Sequence, residues 1–203
     1  MNLELILALC LGITLSAACG FRIFIPPLIV SAASLHGSYS PAPEFAWLAT
    51  YPAFLTLALA ATIEMLAYLI PAVDNLLDMV EIPTAIAIGT GIVGMTLTDL
   101  DPLLQWTIAV VAGGGTAGAV DSMTAVTRLA TTTLTGGIAN PVVGVLEALS
   151  AAVLSLIALL IPLWGVMLVA VVLFVAYRRL TRFWLKRRDR ALRLDYSASL
   201  HDS

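Results

Sequence analysis

Residues 142–177 read VVGVLEALSAAVLSLIALLIPLWGVMLVAVVLFVAY and hold one charged residue, Glu147. As helix, at about 1.5 Å per residue, this stretch is roughly twice as long as a hydrocarbon core of about 30 Å is thick. The Pro162…Gly165 break divides it and predicts two spans, 142–161 and 163–181. The rest of the chain has the same character. Of 203 residues, 60% are hydrophobic and 11% charged, and the mean hydropathy is +1.00. A soluble domain carries about 25% charged residues and is at most about half apolar. A single soluble globule is therefore excluded, and so is disorder, which needs low hydrophobicity. The fold class read from this is an all-α polytopic membrane protein.

Working outward, apolar runs and their breakers predict further segments. Residues 2–19 form a first span. Residues 20–35 are apolar but carry Arg22 and Pro26-Pro27, and 36–44 are a polar, Pro-rich loop. A long span covers 45–70, a short acidic connector 71–81, and another span 82–98, ended by the turn Asp99-Leu100-Asp101-Pro102. Residues 103–120 form a Gly-rich span. Residues 121–140 are less apolar and hold Asp121, Arg128, six Thr, Gly136-Gly137 and Asn140-Pro141.

Two segments, 20–35 and 121–140, thus read as broken or re-entrant, and each carries an Arg. They occupy similar places in two halves, 1–100 and 101–181, which suggests a weak internal repeat. If both are re-entrant there are six full spans in two inverted halves of three; if both cross, there are eight. Six is preferred, because Pro-Pro and a Thr/Gly-rich chain suit non-helical backbone buried in protein.

Charge sets the expected orientation. Residues 178–203 carry eight bases and three acids, while residues 1–177 carry two bases and ten acids. A basic flank next to the last span keeps that end cytoplasmic. The reading is one transmembrane domain, 1–181, and a basic cytoplasmic tail, 182–203, whose Trp184-containing stretch suits anionic headgroups. Either span count is even, so the N-terminus is also inside. The first residues hold Glu4 and no base, which argues for an uncleaved first span.

The two bases outside this cluster, Arg22 and Arg128, are the strongest chemical signal. A charge deep in a bilayer costs at least about 2.5–3.5 kcal/mol. Near a span end Arg can snorkel, which is the bland reading of Arg22. The functional reading has both guanidiniums facing a cavity, where they pair with acids or hold a carboxylate or phosphate. Glu64 and Glu147 are the expected partners, as structural ion pairs or as proton-coupling groups. Asp121 is a further candidate partner of Arg128. Thr131, Thr132, Gly136, Gly137 and Asn140 are candidate ligand contacts, if this stretch is a broken helix whose free amides meet an anion. Their bland reading is Thr hydroxyls bonded one turn back within a helix.

Other patterns carry less. Gly89-Thr90-Gly91-Ile92-Val93-Gly94 spaces its glycines like a dinucleotide loop but lies inside a span, where close helix packing explains it. Asp74, Asp78 and Glu81 have helical spacing and read as a solvated face. Cys10 and Cys19 read as buried thiols, and His36 and His201 make no metal cluster. No nucleophile–His–acid set is present, so no enzyme, cofactor or metal is expected.

Gly20-Phe21-Arg22 with Pro26, Ile70-Pro71-Ala72-Val73-Asp74, and Thr135-Gly136-Gly137 with Asn140-Pro141 resemble an uncharacterised bacterial membrane-protein family, domain of unknown function 4126. The resemblance covers roughly residues 8–165. It implies an integral protein of the cytoplasmic (inner) membrane with this helical layout, and no activity. The family often has a His or Lys near the Gly-rich span, where this chain reads Ala119-Val120-Asp121-Ser122.

The expected function is a small transporter or channel for an anionic solute or lipid headgroup. The alternative is a membrane scaffold or partner subunit with structural Arg–Glu pairs. The expected partners are the lipid bilayer and a small anion or anionic lipid, with no nucleic acid. Small-residue faces suit a homodimer.

Overall fold

A computed structural model describes residues 3–68, 71–98, 100–175 and 177–178, with 71–79 described by their backbone alone. The tail 182–203 with its Trp184, most of the basic cluster after Arg178, Asp99 and the side chains of Asp74 and Asp78 lie outside the described residues. Among the described residues all regular structure is helical. The helices are α1 (Leu3–Cys19), α2 (Ile25–Leu35), a 3-10 segment (Pro43–Ala49), α3 (Tyr51–Ala67), α4 (Pro71–Thr96), α5 (Pro102–Ile108), a π turn (Ala109–Gly114), α6 (Gly115–Thr135) and α7 (Asn140–Leu160). An apolar helix α8 (Pro162–Val175) follows. The chain divides into two compact units, Met1–Val169 and Ala170–Ser203. In the second, the Arg178 guanidinium lies 5.6 Å from the centroid of the Phe174 ring.

Local chemistry sets most boundaries. Pro26 and Pro27 fall in the first turn of α2, where a missing N–H costs nothing and the fixed φ suits the helix. The pair therefore starts a helix instead of breaking one. Thr50 Oγ1 accepts from Ala53 N and caps α3, and the chain bends by 71° between the 3-10 segment and α3. Asp101 caps α5 through Leu103 N at 3.0 Å. Gly136 and Gly137, at φ +63° and +87°, end α6 in the left-handed region. Ile161 leaves helical geometry and α8 starts at Pro162, at the expected break.

Two more segments differ from the expectation. The acidic stretch 71–81 is the first part of α4 and not a connector. The segment 121–140 is helical to Thr135, in one helical run of 34 residues from Pro102. The reason lies in its threonines. Thr127, Thr131, Thr133 and Thr135 each donate to the carbonyl four residues back, so their hydroxyls are satisfied within the helix and free no amides. Arg22 sits in the non-helical link between α1 and α2, and Arg128 sits within a helix. The two expected counterparts thus differ in backbone.

Among the described residues two helices can cross a membrane by length and apolarity, Pro102–Thr135 and Asn140–Leu160; a third is added if the bent pair Pro43–Ala49 and Tyr51–Ala67 is one span. Leu3–Cys19, Ile25–Leu35, Val80–Thr96 and Pro162–Val175 are apolar but shorter. The outer face of α3 exposes Tyr51, Leu55, Leu59, Ile63 and Leu66 at helical spacing, an apolar stripe of the kind that meets lipid or protein.

The core forms around the second half of α1, where Thr14 to Cys19 are buried on every side. It packs against α4, the π turn, α6 and α7. Small residues make the crossing close. Ser16 Oγ donates to Gly113 O at 2.5 Å, and a Cβ on Gly113 would run into the backbone of Gly89. Gly113→Ala should destabilise the fold by about 1–3 kcal/mol. Gly91→Ala, which meets nothing within 4 Å, should be near neutral. Thermal unfolding of the detergent-solubilised variants checks that order.

Candidate functional site

The link between α1 and α2 is drawn against α6. Gly20 permits this, since a Cβ there would lie 2.5 Å from Ala117 O and 2.7 Å from Val120 Cβ. Thr124 Oγ1 on α6 reaches back to Gly20 O at 3.5 Å. This places Arg22 within the bundle, 1% exposed, and its Nη2 donates to Gly144 O at 3.2 Å and Glu147 Oε2 at 3.1 Å on α7. Residue 144 has no side chain to obstruct that approach; a Cβ there would lie 2.8 Å from Arg22 Nη2.

Arg128, 3% exposed, meets the same carboxylate from α6. Its Nε lies 3.1 Å from both Glu147 oxygens, and its Nη2 donates to Glu147 Oε2. Its Nη1 donates to Glu81 Oε2 on α4 at 3.3 Å. Glu147 thus bridges two guanidiniums and Glu81 gives Arg128 a second carboxylate. Both guanidiniums also lie against the ring of Tyr68, at the end of α3, with Cζ atoms 3.8 Å and 4.0 Å from its centroid. A desolvated cation over an aromatic face contributes about 2 kcal/mol. Glu64, one turn before Tyr68, turns to the start of α2. Its Oε1 accepts from Ile23 N at 2.9 Å and its Oε2 from Phe24 N at 3.3 Å.

The expected residues separate into three groups. Arg22, Arg128 and Glu147 form one cluster, with Glu64 bonded to the two residues after Arg22. Asp121 is buried near Gly20, its Oδ1 accepting from Thr124 Oγ1 at 3.4 Å. Thr131, Thr132, Gly136, Gly137 and Asn140 lie further along, around the α6–α7 turn. There Asn140 Nδ2 donates to Thr132 Oγ1 at 2.9 Å.

Two members were not anticipated. Glu81 is 4% exposed and ion-paired, which corrects its reading as part of a solvated face. Its helical spacing from Asp74 and Asp78 drew it to the acidic stretch, but it also opens the apolar run Ile82–Met95, where two buried guanidiniums needed more than one carboxylate. Tyr68 carried a usable signal, since it stands four residues after Glu64 on the same helical face. Among the described residues no group of three or more His, Cys, Asp or Glu can hold a metal ion.

A family model described as "Domain of unknown function (DUF4126)" matches residues 9–182. The chain belongs to this family. The matched range takes in every residue of the DUF4126 cluster described here. No curated protein matches the chain, and no solved structure matches it.

The geometry makes Glu147 the member whose loss leaves the most charge uncompensated. Glu147→Leu should cost about 3–5 kcal/mol, the scale of a buried ion pair broken from one side. Arg22→Met should cost less, because Glu147 keeps Arg128. A double-mutant cycle on unfolding in detergent measures both and their coupling.

Proposed function

We propose that this chain is a multi-pass protein of the bacterial cytoplasmic membrane, both termini inside, that carries a small oxyanion across it. The anion is a carboxylate or phosphate, free or borne by a lipid headgroup. One observation supports this reading above others. Arg22 is 1% exposed, yet its Nε and Nη1 have no hydrogen-bond partner among the described residues. A buried charged donor left unmatched is costly, and a visiting anion supplies the match.

In this reading Glu147 is the coupling group. It holds both guanidiniums while ionised. On taking a proton it loses most of that hold, and an anion takes its place between them. Loss of that proton restores the carboxylate between the guanidiniums and expels the anion, so both move together. Tyr68 keeps the guanidiniums in register while their partner changes.

The test is purified protein in liposomes with a pH-sensitive dye inside. An external panel of acetate, lactate and phosphate should drive proton entry for at least one anion, and Glu147→Gln should reduce that rate at least about tenfold, the order of a missing proton-transfer group. No proton movement with any of them leaves the scaffold reading in its place. One observation favours that second reading: Arg128 already has carboxylates on both sides, Glu147 and Glu81. On the scaffold reading Arg128→Ala costs stability or partner recovery, whereas a transporter loses flux and stays folded.

Orientation is tested separately. Ser38→Cys, with Cys10 and Cys19 removed, should react with an impermeant thiol reagent on intact cells. Protection until lysis would place loop 36–44 inside and reverse this half of the topology.

A further inference from the structure

We propose that the start of α2 and Arg22 form a binding site for a small carboxylate, and that Glu64 is a resident competitor which latches α3 over it. Four observations carry this. First, Glu64 reaches from α3 and sets its two oxygens on consecutive backbone amides, Ile23 N at 2.9 Å and Phe24 N at 3.3 Å. That is how a helix start holds a free anion. Second, α2 supplies no cap of its own. Phe24 stands at the N-cap position, and Pro26 and Pro27 contribute no N–H, so the amides of 23 and 24 carry the donor role there.

Third, the site has charge that Glu64 does not use. Arg22 precedes those amides and is 1% exposed. Its hydrogen bonds run from Nη2 to Gly144 and Glu147, while Nε and Nη1 donate to nothing among the described residues. Fourth, the helix that delivers Glu64 is only lightly attached. Of the residues in α3, Ala61 and Glu64 alone are buried, and the following Tyr68 is the next anchor. The chain before α3 already bends by 71°. Moving α3 outward about the Tyr68 anchor, which stays on the guanidiniums, therefore withdraws a carboxylate from the amides at small cost in packing.

A small carboxylate entering this site replaces the Glu64 oxygens one for one and gains the Arg22 donors. Binding and release of α3 are then the same event. The inference rests on the anion reading of Arg22 but requires no transport.

Formate is the probe, added to the full chain in detergent, with sodium gluconate at equal concentration as the bulky control. Wild-type protein should respond equally to both salts. Glu64→Ala should unfold at lower temperature, and formate alone should raise its midpoint, by about 5–10 °C at a concentration about 100-fold above its dissociation constant. Adding Arg22→Met should remove that rise. If Glu64→Ala is recovered in folded form only when purified with formate, the same conclusion follows. If it is recovered in neither condition, Glu64→Gln takes its place in the titration. Equal responses to formate and gluconate in whichever variant is titrated overturn the proposal. A formate effect without proton movement in liposomes keeps this site and removes the transport reading. Proton movement without a formate effect does the opposite.

Discussion

The Glu147 carboxylate is the constraint around which the first unit is organised. It accepts from two buried guanidiniums that arrive on different elements, the α1–α2 link and α6. In an apolar interior neither guanidinium is tolerated without a counter-charge. The positions of these elements are therefore coupled through one side chain on α7. The small residues serve the same end. Gly20 lets the link settle on α6, and Gly144 leaves the path from Arg22 to α7 open. The apolar packing around α1 would fit several arrangements of similar helices. The charge cluster fits far fewer, because its distances must all be met at once.

Tyr68 and Glu64 show how one helical turn can serve two requirements. Four residues apart, they share a face of α3. One presents a π surface to both guanidiniums, and the other caps a helix that cannot cap itself. The outward side of α3 is apolar and exposed. The helix thus meets the protein through apolar residues such as Leu57 and Ala61 as well as through Glu64. Apolar on both sides, it differs from a helix on a soluble globule, whose outward face is polar.

The helical, apolar character of the chain was legible from composition, and the break at Pro162 from the residue itself. So was the chemical interest of Arg22 and Arg128, since an isolated base in an apolar run demands a partner. Two kinds of information were not legible. Residues 121–140 read as broken because the stretch is rich in Thr and Gly; in place it is helical to Thr135, with hydroxyls satisfied one turn back, and leaves the helix only at Gly136. Pro26-Pro27 was read as a break, because a proline pair reports only that a helix boundary is near, not on which side the helix lies. Glu81 was read with its acidic neighbours, because spacing along one helix says nothing of the base that another helix brings to it. Local pattern fixes the period of an element. The partner of a buried charge is decided across elements, and no window along one helix contains it.

The helical run from Pro102 to Thr135 has a mechanical consequence. Its 34 residues extend for about 51 Å at about 1.5 Å per residue, against about 30 Å of hydrocarbon. Tilts of up to about 40° absorb only part of the excess. If this run crosses a membrane, one end stands in the headgroup layer. If that is the α6–α7 turn, the exposed side chains of Leu134 and Ile138 act as a float on the membrane surface, fixing the depth at which Arg128, two turns inward, rides below the headgroups.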